Sequence, residues 1–125
     1  MKYVCLVYAA ESKFATIPEG ELARLDEASL ASDEELRRTG RLVIAQALET
    51  VREAVTIRVR DGRMSATDGP FAETTEQLGG FVFIEARDMN EAIHVASELP
   101  MARYGSIEVR PVMDLEARVE RRSGG

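Results

Sequence analysis

The chain has 125 residues, 45% hydrophobic and 30% charged, with a formal net charge of −6, which describes one compact soluble domain rather than two. Such a chain buries roughly two-thirds of the surface its unfolded form exposes, enough for a modest core but not for a large enclosed site of its own. The acidic balance, with no Lys/Arg cluster interleaved with aromatics, excludes a direct nucleic-acid surface, and the early apolar run Tyr3 to Ala10 is too short to span a bilayer.

No basic start with a long apolar stretch and a small-residue cleavage pattern leads the sequence, so the cytoplasm is the expected compartment. The single cysteine, Cys5, fits a reducing environment and reads as a small buried hydrophobe. Residues 2 to 8, Lys-Tyr-Val-Cys-Leu-Val-Tyr, are apolar on both faces and predict a central strand. After a polar stretch, Pro18 with Glu19 and Glu21 predicts a helix that runs to about Thr39 and stops at Gly40. Its stripe of Leu22, Leu25 and Leu36 is interrupted by Ser29 and Ser32, so the helix packs either closely or weakly there. Seven carboxylates between Glu19 and Glu35, against the one Arg24, read as a solvated acidic face.

Arg41 to Leu48 is the second predicted strand. Val55, Ile57 and Val59 then alternate with Thr56, Arg58 and Arg60, and Asp61-Gly62 makes a two-residue hairpin turn into Met64 to Thr67. Arg52, Arg58, Arg60 and Arg63 gather at this hairpin and read as its outer face. Asp68-Gly69-Pro70-Phe71 breaks the ladder, because Pro lacks a donor and Gly permits positive φ. Gly79-Gly80 opens the strand Phe81 to Ile84. Asp88 with Glu91 forms a capping box for a second helix whose stripe is Met89, Ala92, Ile93, Ala96 and Leu99, ending at Pro100. Ser106 to Met113 is the last strand, and residues 114–125 form a charged tail, expected to fray, behind a domain of residues 1–113.

Two βαβ-like halves with an inserted hairpin give an α+β, ferredoxin-like split βαβ arrangement. Both helices then lie on one sheet face. The first and fourth strands are too apolar on both sides for the other face to meet water, and a second copy packed sheet against sheet covers it.

Three segments carry a resemblance: Met-Lys-Tyr-Val-Cys-Leu-Val-Tyr at the start, Thr67 to Phe81 with its Asp-Gly-Pro-Phe core, and Ala102 to Pro111. Together they resemble the YCII-related proteins, in the branch named for its DGPF motif. The resemblance implies a homodimer built as a dimeric α/β barrel that binds a small molecule and is able to act on it. Some members carry a His and Asp pair in a cleft, and relatives sharing the barrel act on lactones or chlorinated ring-fission products. Members of the branch also occur beside or fused to extracytoplasmic-function sigma factors, which implies the alternative of a non-catalytic accessory or sensing domain with a sigma factor as partner. This chain departs from the His and Asp pattern. Its one histidine, His94, falls in the second helix beside the apolar stripe.

Acid–base work therefore falls to carboxylates or tyrosines. Asp68, at a strand end beside a rigid Gly-Pro turn, is the candidate general base or orienting carboxylate, or else only the acceptor of its own turn. Gly69, Pro70 and Phe71 complete that loop as candidate ligand contacts. Glu73 and Glu76, three apart, would share one side of a short helical turn. On the last strand Ile107 and Val109 alternate with Glu108 and Arg110, so Arg110 points into the barrel interior, where it pairs with a carboxylate or holds an anionic ligand. Arg103 is the second candidate anion holder. Tyr8 and Tyr104 either line the same mouth or pack in the core. With one His, one Cys and no ligand spacing, neither metal nor cofactor is expected.

Overall fold

A computed structural model describes residues 1–124. Strand β1 (Lys2–Ala9) leads through a one-turn helix α1 (Glu11–Phe14) into the long helix α2 (Glu19–Arg38), and β2 (Leu42–Ala47) returns beneath it. The hairpin β3 (Val55–Arg60) and β4 (Arg63–Asp68) follows, then β5 (Gln77–Glu85), α3 (Met89–Glu98), β6 (Ser106–Pro111) and α4 (Leu115–Gly124). The main sheet is antiparallel in the order β2-β5-β1-β6, and β3 and β4 form a separate two-stranded sheet. This is the expected ferredoxin-like split βαβ arrangement, with the hairpin inserted between its halves.

Strand β1 is central because it can bury one face completely. Tyr3, Cys5, Val7 and Ala9 are buried, while Val4, Leu6 and Tyr8 face the other way and are half-buried. On the helix side Cys5 and Ile84 are fully enclosed, and Val82, Ala92, Val95, Ala96 and Leu99 pack around them. Burial pushes the Cys5 thiol up to about 11, so at neutral pH it stays protonated and behaves as a small hydrophobe.

Helix α3 starts as its sequence demands, with the Asp88 carboxylate accepting from the Glu91 N–H at 2.9 Å. The return bond departs from the expected box. Glu91 accepts from the Arg87 N–H at 3.2 Å and from the Arg87 guanidinium at 2.7 Å, one residue before the cap. The buried stripe also differs, since Ile93 is 51% exposed while Val95 is 3% exposed. With Ala92 and Leu99 fixed against the sheet, the 3.6-residue period places Val95 and Ala96 between them and turns Ile93 outward.

Asp61 and Gly62 both have positive φ, 52° and 74°, as a primed two-residue turn requires. The ladder runs one residue further than expected, pairing Asp68 with Val55 before Gly69, at φ 103°, ends it. One side of this hairpin, Val55, Ile57, Val59 and Met64, is more than half exposed. The opposite side carries the exposed Arg58, Arg60 and Arg63. Within the tail expected to fray, Leu115–Gly124 is helical: the Asp114 carboxylate accepts from the Ala117 N–H at 2.9 Å and caps α4.

Neither α2 nor α3 packs on the second face of the main sheet. Cross-strand register brings Val4 beside Phe83, Leu6 beside Phe81, and Ile44 beside Phe83 on that face, with Glu108 and Arg110 flanking on β6. Gly105 fixes how β6 meets β1, because a Cβ there would overlap the carbonyl oxygen of Tyr8. Gly105→Ala is expected to cost about 2–3 kcal/mol, read as a lower urea midpoint with an unchanged slope.

Candidate functional site

Helix α2 is anchored by two buried leucines and leaves a gap against the sheet between them. Leu25 and Leu36 are buried, whereas Ser29 and Ser32, in register with them on the same stripe, are half-buried and too short to reach the strands. The gap is a cavity of about 860 Å³ between α2 and the β2–β5 half of the sheet. Val7, Leu22, Leu25 and Val82 supply apolar walls, and Phe14, Leu99 and Met101 close one end. Its volume lies within the range of small-molecule sites. The two glycines of β5 form part of the floor. Gly80 is there because β2 crosses close by, where a Cβ would come within 2.7 Å of the Gln46 carbonyl oxygen. Gly79 sits at the bulge that shifts the register of β5 between Val7 and Tyr8.

The polar groups of the cavity come mainly from α2: Glu19, Asp26, Ser29, Ser32 and Asp33. Burial raises the Asp33 carboxyl above its ordinary range, and the Arg37 guanidinium lowers it to a smaller extent. Arg37 is engaged elsewhere, at 2.6 Å from Glu34. Beside the cavity Tyr104 donates a hydrogen bond to Glu21 at 2.8 Å and packs its ring 6.0 Å from that of Phe14. The Glu21 partner raises the Tyr104 hydroxyl, burial adding to it.

None of the candidate site residues named from sequence lines this cavity, though Tyr104 packs against its lining residue Phe14. Asp68 ends the exposed hairpin. Its neighbour Gly69 donates to the Ala54 carbonyl at 2.7 Å and accepts from the Thr56 hydroxyl at 2.9 Å. Pro70 is exposed and Phe71 is 77% exposed. Glu73 and Glu76 share no helical turn, because residues 69–76 form bends; Thr74 ties its hydroxyl to the Glu76 carbonyl instead. The Glu76 carboxylate accepts from the Ser106 hydroxyl at 2.8 Å.

Tyr8 and Arg110 share the sheet face opposite α2 and α3, Tyr8 opposite Ser106 and Arg110 opposite Val4. In the single chain Arg110 is exposed there, and it pairs with no carboxylate among the described residues. Tyr104 belongs to the helix side, where it meets Glu21, so the two tyrosines do not line one mouth. Arg103 is exposed at the end of a 3₁₀ turn, Pro100–Arg103. His94 is exposed on α3, its Nε2 2.9 Å from Glu98, and borders a second, shallower depression of about 320 Å³ with Arg41 and Arg87. The sequence signal for the α2 cavity was the pair of serines inside a leucine stripe.

Asp33 gives this site a pH signature. A carboxyl raised on folding contributes stability that is present in acid and lost as pH rises through its folded value, so ionised Asp33 weakens the fold at neutral pH. Asp33→Asn is expected to raise the melting temperature slightly at neutral pH. The difference should shrink to nothing as pH falls below the ordinary carboxylate range, where the folded and unfolded chains both carry the group protonated, checked by thermal melts across that range.

An uncharacterised protein of Rhizobium meliloti (strain 1021) is 35% identical over 114 residues, covering 90% of this chain and 92% of its own length. Among solved structures, the 5-chloro-2-hydroxyhydroquinone dehydrochlorinase of Burkholderia phenoliruptrix AC1100, in complex with 2,5-dihydroxybenzoquinone, superposes with a TM-score of 0.48 at 15% identity, covering 90% of this chain and 94% of that one. The sequence pattern of the YCII-related domain spans residues 1–116, and the chain belongs to the YCII-related family.

Proposed function

We propose that the protein is a cytoplasmic homodimer that binds a small molecule in the cavity beneath α2. The cavity carries this reading: about 860 Å³ of space held open by Ser29 and Ser32, with apolar walls and polar groups converging from one helix. Family membership is compatible with it. The dimer part is supported by the sheet face opposite α2 and α3, where Val4, Leu6, Ile44, Phe81 and Phe83 lie together. A second copy laid face to face removes this apolar centre from water and leaves Glu108 and Arg110 at its margin. The expectation of an anionic ligand rested on Arg103 and Arg110, neither of which reaches the cavity, and the site under α2 does not depend on it.

Ser32→Leu is the direct test. A leucine at that position fills the gap with apolar volume, and the variant is expected to melt higher, by about 1–2 kcal/mol of added stability. It should lose the thermal shift that a panel of small apolar ligands gives the wild type. A response that survives in Ser32→Leu but disappears in Asp68→Ala would move the site to the loop after the hairpin. Co-elution with an extracytoplasmic-function sigma factor, with no shift from any small molecule, would replace ligand binding by the accessory role.

Light scattering at micromolar concentration is expected to give twice the 13.8 kDa chain mass. Phe83→Arg, which puts a charge at the centre of the proposed contact, is expected to return it to the monomer with its helical circular dichroism intact.

A further inference from the structure

The charged groups that line the α2 cavity are all acidic: Glu19, Asp26 and Asp33, with no Lys, Arg or His among them. Their spacing is seven residues in each case, so they run as a row along one side of α2. Neighbours in that row are about 10 Å apart along the axis and turned by only about 20° from each other. Ser29 and Ser32 lie between them in sequence and line the same space. Glu19 and Asp26 are exposed and Asp33 is half-buried, an arrangement that puts negative charge along the mouth while the apolar walls lie deeper. Among the described residues none of the three enters an ion pair; Arg37 acts on Asp33 but is engaged by Glu34 at 2.6 Å, so the row keeps a net negative field. A carboxylate ligand would meet three like charges and no cationic side chain among the residues that line the cavity. An ammonium group at the same place gains attraction from the row and keeps its contact with water at the rim.

Building on the small-molecule reading above, we propose that the ligand is an amine: an apolar body that fills the space beneath Ser29 and Ser32, carrying a primary or quaternary ammonium group held at the mouth by Asp26 and Asp33.

Three naphthyl compounds with similar apolar bodies separate the two ideas: 2-(1-naphthyl)ethylamine, 2-(1-naphthyl)ethanol and 1-naphthylacetate, titrated at neutral pH and low salt and followed by thermal shift and naphthyl fluorescence. The amine is expected to bind at least about tenfold more tightly than the carboxylate, with the alcohol between them. In the Asp26→Asn, Asp33→Asn double variant that preference should collapse while the alcohol keeps its affinity, which shows the cavity intact. Binding of the alcohol with no preference for the amine over the carboxylate would overturn the amine inference and leave the small-molecule reading standing. The same holds if the preference persists in the double variant. Failure of all three to bind would overturn the small-molecule reading itself, and the inference with it.

Discussion

Two buried leucines eleven residues apart anchor α2, and most of what is distinctive in this molecule follows from the stretch between them. Leu25 and Leu36 are buried at 7% and 8% exposure, at contacts about 16 Å apart along the helix. A leucine at either serine position would close the layer into an ordinary helix–sheet core. With hydroxyls there, the helix spans a gap, and the packing energy that normally fixes a long helix along its whole length is confined to its ends. Tyr104 adds a polar tie near the first end, through Glu21. The other half of the sheet is conventional: α3 lies flat on it through Ala92, Val95 and Ala96, small residues that let helix and strand approach closely.

The sequence made the local elements readable where a single short-range rule decides them. Asp61-Gly62 needed only a primed turn, and Asp88 only a cap three residues before an amide. The topology was readable because strand and helix alternate in an order with few compact solutions. Reading failed where the outcome depends on a neighbour. Ile93 and Val95 are equally apolar, and only the placement of α3 on the sheet decides which of them is buried. The one-turn helix α1 has no apolar period and is held by its surroundings: its Glu11 N–H donates to Gln77 and its Glu11 carboxylate accepts from the Val51 N–H.

The candidate site was half legible. Ser29 and Ser32 marked a place where the helix stripe is interrupted, but whether two small residues bring a helix nearer or leave a space depends on what lies opposite. Here the opposing strands carry Ala45, Gly79 and Gly80, so both sides are short and the space remains. The acidic residues of α2 read as a solvated face, and most of them are. The seven-residue spacing of Glu19, Asp26 and Asp33 is the pattern that sets three of them apart. The Asp-Gly-Pro-Phe segment is conspicuous in sequence for the geometry of its turn, and Gly69 ends the hairpin ladder there.

The net charge of −6 describes the molecule less well than its distribution does. Arg58, Arg60 and Arg63 stand together on the hairpin, with Arg52 in the turn before it, and none is paired with a carboxylate among the described residues. The carboxylates are concentrated on α2. Such a chain has a permanent electric dipole as well as a charge. Two like-charged molecules repel at long range, but inside roughly a Debye length the repulsion becomes a matter of orientation. The approach that brings the arginine side of one hairpin toward the acidic helix of another molecule is the attractive one. Encounters in dilute salt are therefore sorted by angle before any apolar surface touches, and added salt erases that sorting while leaving the apolar contacts as they were.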